Sequence, residues 1–234
     1  YRRIFLGQNC GTFSVTETKP VVRDDHPVVL IGPADVEKDD LERVLQPGRK
    51  VVAADGGAAR ALEFGVTPDA VIGDFDSFAP DTRIGASKLH RIADQDSTDF
   101  EKCLARISAP RVLAFGFLGA RIDHGLAVLS ALAKTPPGWC VLVSPHDIAV
   151  HCPRDIDLDL APGTRVSLFP MTPVTGRSTG LHWPIEGLAF DPMGQIGTSN
   201  HATGPVTLEM AGQGMLLILP PAAFRPLLAA LPSA

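Results

Sequence analysis

The chain has 234 residues, 45% of them hydrophobic and 20% charged, a mixture that buries a real core and leaves no large stretch disordered by composition. A net charge of −5 and a pI near 5.8 exclude non-specific nucleic-acid binding. An acidic protein that holds an anionic nucleotide needs a local cation, either Lys/Arg side chains or a metal ion. Cys10, Cys103, Cys140 and Cys152 form no C-x-x-C pair and no zinc-type spacing, so a reducing cytoplasm is the expected setting. No signal-peptide pattern follows Arg2-Arg3, and no apolar run approaches the ~18 residues that span a bilayer, so no membrane partner is expected.

Taken in chain order, Val28–Ile31 reads as a buried strand ending at Gly32-Pro33, followed by a helical stretch over Asp35–Leu45. Val51–Ala54 is the next strand and runs into Asp55-Gly56-Gly57, which opens a helix closed by Gly65. Ala70–Ile72 leads into Gly73-Asp74-Phe75-Asp76-Ser77, and Leu89–Ile92 is a fourth strand. Phe100, Cys103, Leu104 and Ile107 fall at i, i+3, i+4 and i+7, predicting a helix over Thr98–Ile107. Arg111–Phe115, a loop over Gly116–Asp123, a helix to Lys134 and the strand Trp139–Val143 complete this part.

Apolar strands alternating with helices predict an α/β fold whose parallel sheet is covered on both faces, with ligands outside the carboxyl ends of the strands. Beyond residue 150 the texture changes to short alternating runs, Arg165–Phe169, Thr179–Trp183, Val206–Met210 and Met215–Leu219. These predict an antiparallel all-β sandwich, with a boundary between Ser144 and Pro162. The division is 1–150 for the α/β part and 151–234 for the β part.

The polar turns carry the chemistry. Asp74 and Asp76, two apart in an extended segment, would point to one side, and hard carboxylate oxygens suit Mg²⁺. Asp94, Gln95, Asp96 and Asp99 crowd a helix start whose Thr98 and Glu101 fit a capping box. Capping does not explain that density of acids, and a cation does. Lys102 beside Asp99 is either a phosphate ligand or a solvated helix lysine. Arg121 suits a bidentate grip on phosphate, and Asp123 either supports that loop or caps the next helix. Asp55-Gly56-Gly57 opens a helix whose free N–H groups can receive phosphate. His124 is either a site residue or packed. No P-loop and no nucleophile elbow is present.

In their order along the chain, Asp55-Gly56-Gly57-Ala58, Pro68-Asp69-x-x-Ile72-Gly73-Asp74-Phe75-Asp76-Ser77, Asp94–Lys102 and Gly119–His124 resemble the thiamine pyrophosphokinase family. Gly180-Leu181-His182-Trp183-Pro184 and Gly197-Thr198-Ser199-Asn200 match it as well, so the resemblance spans roughly Val28 to Leu219. It implies a Rossmann-like N-terminal domain, a C-terminal β-sandwich that binds thiamine, and a homodimer with sites at the junction. It also implies transfer of pyrophosphate from ATP to the hydroxyethyl oxygen of thiamine, with AMP released. On that resemblance Asp74, Asp76 and Asp99 hold Mg²⁺, Asp99 receives the hydroxyl proton, and Gln95, Lys102 and Arg121 position phosphates. Asp123 supports their loop, Ser199 and Asn200 lie near the thiamine pocket with Asp96, and His201 stacks where relatives carry another aromatic residue. Ala120 stands where members often have a second glycine, and Val128 where Asn is common. The alternatives are a related pyrophosphokinase acting on another hydroxyalkyl heterocycle, such as a hydroxymethyl pterin, or a non-catalytic nucleotide or thiamine sensor.

Overall fold

The computed structural model describes residues 19–76, 81–94, 96–119 and 121–232. A two-stranded parallel ribbon pairs β1 (Val22–Arg23) with β6 (Ile107–Ser108). Six further strands run parallel, in the spatial order β5 (Leu89–Arg91), β4 (Ala70–Gly73), β3 (Val51–Ala54), β2 (Val28–Ile31), β7 (Val112–Phe115) and β8 (Cys140–Val143). β2, β3, β4, β7 and β8 are buried at every position, which is why they read as unbroken apolar runs.

Strand alternation sorts the core into two layers. Val29 and Ile31 pack with Leu41 and Ala61 on one side, beneath α1 (Lys38–Glu42) and α2 (Gly57–Glu63). Val28 and Leu30 pack on the other with Phe100, Leu104 and Leu132, from α3 (Asp99–Leu104) and α4 (Ile122–Ala133). No helix among the described residues is long and apolar enough to cross a membrane.

Pairing does not break where the composition changes. β9 (Ile148–His151) lies antiparallel to β8, and β15 (Met215–Leu219), β11 (Arg165–Pro170), β14 (Gly197–Met210), β12 (Val174–Leu181) and β13 (Ala189–Phe190) continue the sheet outward. β10 (Asp155–Leu158) joins the far half of β14, and α5 (Phe224–Ala230) packs against β10. The result is one mixed sheet of thirteen strands. β14 turns a corner within it: Asn200 and His201 face β11 in register, whereas Val206–Glu209 face β10.

Two helices are shorter than their periodicity predicts. α1 begins at Lys38 because the Ala34 N–H is bonded to the Gly116 carbonyl, which holds that stretch against the loop after β7. α3 stops at Leu104 because Ile107 and Ser108 are drawn into the ladder with β1. Tertiary pairing overrides propensity in both places.

Candidate active site

From β2 the chain builds outward through β3, β4 and β5, then returns to the opposite flank of β2 with β7 and β8. β2 and β7 therefore form a topological switch point, where the loops leaving their carboxyl ends diverge and open a crevice. The Gly32 N–H donates to the Phe115 carbonyl (2.7 Å) and pins the two loops at their roots. A cleft of about 530 Å³ opens here, lined by Pro33, Asp55, Asp74, Asp99, Lys102 and Arg121 among others.

Three carboxylates converge on it. Asp55, Asp74 and Asp99 each offer an oxygen, all within 4.8 Å of one another. Gly73 makes the approach of two strand ends possible, since a Cβ there would lie 2.8 Å from Asp55 Cβ. Asp55 itself has φ 39°, a left-handed conformation costly for a residue with a side chain. Asp99 is the first residue of α3, set by a complete capping box. The Glu101 N–H donates to Thr98 Oγ1 (3.3 Å), and the Thr98 N–H donates to Glu101 Oε2 (3.1 Å).

Lys102 sits beneath the acids with 3% of its side chain exposed. Its ammonium donates to Asp74 Oδ2 (2.9 Å) and to Asp99 Oδ1 (3.0 Å). It is not the solvated helix lysine that spacing allowed. Burial alone would lower its pKa, but the two carboxylate bonds outweigh burial and raise it. In return, the hydrogen bond from Lys102, with help from the Asp76 N–H, holds the Asp74 carboxyl below its ordinary value.

Asp76 departs from the expected geometry. Phe75 has φ 66°, so the segment turns there instead of extending. Asp76 is exposed, and its N–H donates to Asp74 Oδ1 (3.3 Å). Asp55, at the end of the neighbouring strand, joins Asp74 and Asp99 in the three-carboxylate group. Asp96 is exposed, with its N–H on Asp94 Oδ1 (2.9 Å); Gln95 lies outside the described residues.

Of the remaining expected contacts, Gly56 lines the cleft while Gly57 is buried against the Ile31 carbonyl. Arg121 reaches the cleft rim and is held by Asp123 through Nε–Oδ1 (3.2 Å) and NH2–Oδ2 (2.6 Å). Arg121 occupies the N-cap position of α4, so Asp123 is not the cap of that helix. Its pKa is lowered to about 2 by the Arg121 guanidinium. His124 and Val128 also line the cleft.

Ser199, Asn200 and His201 are not among the residues lining this cleft. Ser199 has φ 63°, and its N–H donates to Ser167 Oγ (3.1 Å). Asn200 is 8% exposed and its amide is spent on backbone. Oδ1 accepts from the Trp183 N–H (3.1 Å) and the His201 N–H (2.9 Å), while Nδ2 donates to the Trp183 carbonyl (2.7 Å). That clamp presents an aromatic group: His201 stacks on His182 at 4.4 Å, and Trp183 meets both rings edge-on with 56% of its surface exposed. His182 and Trp183 lie in a motif legible in the sequence, yet only the structure sets them beside His201.

Two sequence families match the chain: "Thiamin pyrophosphokinase, catalytic domain" over residues 41–138, and "Thiamin pyrophosphokinase, vitamin B1 binding domain" over residues 148–212. Together they span well over half of its length. Among curated relatives, Thiamine pyrophosphokinase 1 of Oryza sativa subsp. japonica is 28% identical over 190 residues, 64% of this chain and 70% of that protein. Thiamine pyrophosphokinase 1 of Arabidopsis thaliana is also 28% identical over 190 residues, 64% and 69% of the two chains. Among solved structures, thiamin pyrophosphokinase from Candida albicans superposes with a TM-score of 0.71 at 18% identity, covering 83% of this chain and 89% of that one. The enzyme from Geobacillus thermodenitrificans gives 0.65 at 21% identity, covering 83% and 96%. These structural likenesses establish a shared α/β fold.

Proposed function

The chain belongs to the thiamin pyrophosphokinase family, and from that premise we propose that it transfers pyrophosphate from ATP to the hydroxyethyl group of thiamine, giving thiamine diphosphate and AMP. The observation that carries the reading is the three-carboxylate group of Asp55, Asp74 and Asp99 at the switch-point cleft.

An all-oxygen donor set of this density fits Mg²⁺, which prefers hard ligands and shares its shell with phosphates. Asp55, Asp74 and Asp99 would hold the ion, with exposed Asp76 at their rim. When bound, it would neutralise charge on the triphosphate. Lys102 orients Asp74 and Asp99 as oxygen donors and holds the Asp74 carboxyl below its ordinary value. Arg121, braced by Asp123, would grip phosphate oxygens at the mouth, with Gly56 and Gln95 as further phosphate contacts.

In the transfer, the thiamine hydroxyl oxygen bonds to the β-phosphorus and the bond from that phosphorus to the α,β-bridging oxygen breaks. AMP leaves with that oxygen, and the Asp99 carboxylate takes the hydroxyl proton. The exposed Trp183 ring, backed by His201 and His182, would stack on a ring of the vitamin, with Ser199 and Asp96 as polar contacts.

The acceptor group does not line the acidic cleft of its own chain, which supports a homodimer that brings the two together. A face for a second copy adjoins the cleft: Ile122 and Leu126 on α4 are 78% and 61% exposed, next to Arg121 and His124. We further read residues 1–150 as a Rossmann-like nucleotide- and metal-binding part and 151–234 as a thiamine-binding β-sandwich. The change from parallel to antiparallel pairing between β8 and β9 supports that division. Cys103, Cys140 and Cys152 are free and buried, which suits a cytoplasmic setting.

The direct test is AMP release from ATP and Mg²⁺ with and without thiamine. Thiamine-dependent AMP in step with thiamine diphosphate is expected. Release of ADP would refute attack at the β-phosphorus, and folded protein without turnover would refute thiamine as the acceptor.

A further inference from the structure

A second and larger cavity, about 790 Å³, lies at the opposite end of the parallel sheet. Arg111 immediately precedes β7 and lines it, whereas Gly116 immediately follows β7 and lines the acidic cleft. The four residues between span roughly 13 Å, so the two spaces are separated by the length of a strand.

Its lining is unlike that of the cleft. It carries four arginines, Arg43, Arg49, Arg111 and Arg225, and no Asp or Glu among the described residues. The rest includes the apolar side chains Phe224 and Leu228 from α5. The arginines come from three separate places: α1 and the turn after it, the start of β7, and α5. Such convergence in a chain of net charge −5 runs against the overall electrostatics.

Internal bonds leave much of this donor capacity unused. Arg43 pairs with Asp40 through one nitrogen (2.8 Å), and Arg49 donates to the Val44 carbonyl (2.9 Å) and Gln46 Oε1 (3.3 Å). Arg225 has no ion-pair partner among the described residues. Arg111 is decisive. NH2 donates to the Pro232 carbonyl (2.7 Å), but NH1 is buried and meets no acceptor among the described residues. Burial lowers the Arg111 pKa, and no carboxylate among the described residues offsets it. A buried donor left unpaired is costly, and more so when it is charged. An anion bound against the Arg111 guanidinium would relieve that cost.

We infer that this cavity is a second ligand site, which takes a phosphorylated small molecule with an apolar or aromatic body. The arginines receive the phosphate, in the fork geometry that guanidinium groups offer, and Phe224 and Leu228 receive the body. A volume of this size accommodates a nucleotide-sized ligand. The site needs no metal, which separates it from the acidic cleft, where an anion meets three carboxylates unless a cation is present.

The test is calorimetric titration of the full chain with phenyl phosphate and with inorganic phosphate, both in excess EDTA. One saturable site per chain is expected, tighter for phenyl phosphate than for inorganic phosphate. Arg111→Gln and Arg225→Glu should each weaken it about tenfold or more, the cost of one lost charge-assisted hydrogen bond, while Asp74→Asn leaves it unchanged. Arg225 is exposed on its helix, so its variant keeps the test open if Arg111→Gln fails to fold. Absence of saturable binding at millimolar ligand would overturn the inference. So would binding abolished by Asp74→Asn but indifferent to both arginine variants, or equal affinity for the two probes. None of these outcomes depends on turnover, so failure here leaves the catalytic reading standing, and the reverse holds as well.

Discussion

The Lys102 ammonium lies 2.9 Å from Asp74 Oδ2, although the two residues are 28 apart in sequence and belong to different elements. It also holds Asp99, so a single buried cation orders two of the three carboxylates. Lys102→Met should therefore leave the acids facing one another uncompensated. We expect a loss of about 3 kcal/mol in metal-free protein, the usual result of removing one partner of a buried pair. Mg²⁺ should then raise the melting temperature of the variant more than that of the wild type. Thermal unfolding with and without Mg²⁺ measures both, and an equal metal response would contradict this role for Lys102.

Asp55 and Asp76 should differ sharply in importance. Asp55→Asn removes a donor of the converging group and should cost about 3 kcal/mol of transition-state stabilisation, roughly two decades in kcat/KM for thiamine. Asp76, exposed and turned aside at Phe75, should lose less than about tenfold when changed to Asn. Steady-state kinetics of the two variants decides the order, and a reversed ranking would restore Asp76 to the centre of the group.

Asn200 and Trp183 separate architecture from contact. Because the Asn200 amide makes three backbone bonds, Asn200→Ala should destabilise the chain by about 2–3 kcal/mol. Trp183→Ala removes a half-exposed ring and should leave unfolding nearly unchanged while raising the KM for thiamine. Chemical denaturation alongside kinetics distinguishes the two effects. A normal KM in the Trp183 variant would remove that ring from the acceptor site.

Two glycines should respond oppositely to alanine. A Cβ on Gly57 would lie 2.1 Å from the Ile31 carbonyl oxygen, so Gly57→Ala must push α2 away from β2 and should cost about 1–3 kcal/mol. Gly125 lies within α4 with open space around it, and Gly125→Ala should stabilise by up to about 1 kcal/mol through helix propensity. A Gly57→Ala variant that melts no lower than the wild type would show that this close approach does not constrain the fold, and a lower melting temperature for Gly125→Ala would contradict the open space around it.

His151 is buried between two backbone partners. Nδ1 meets the Thr135 carbonyl at 2.6 Å, and Nε2 accepts the Gly214 N–H at 2.9 Å, an arrangement that requires the neutral ring. Burial lowers its pKa despite the bond to Thr135. A depressed folded pKa means the contribution is complete above the unfolded histidine value, near 6.5, and is lost as pH falls toward the folded value. Wild-type stability should therefore fall between about pH 7 and 5 more steeply than that of His151→Gln. Parallel pH profiles in the two proteins would exclude His151 as the source.

What the sequence determined on its own was whatever depends on neighbours along the chain or on burial on both faces. Val28–Ile31, Val51–Ala54 and Ala70–Ile72 were legible as strands because helices cover both sides of the sheet, leaving no polar face to interrupt the apolar run. Thr98 and Glu101 were legible as a capping box because both bonds close within one turn. The family motifs likewise survive as short contiguous strings. The tertiary structure alone decided which acids meet. Asp55 reaches Asp74 and Asp99 across adjoining elements, and Phe75 takes a left-handed turn before Asp76, a backbone choice that no spacing rule encodes. It also decided that Lys102 reaches Asp74, that Asn200 clamps Trp183 and that four arginines line one cavity, since each juxtaposition joins residues far apart in sequence. β13, two residues long, and β10, whose positions alternate between exposed and buried, escaped notice because they gain their stability from the ladder they join and not from an apolar run of their own.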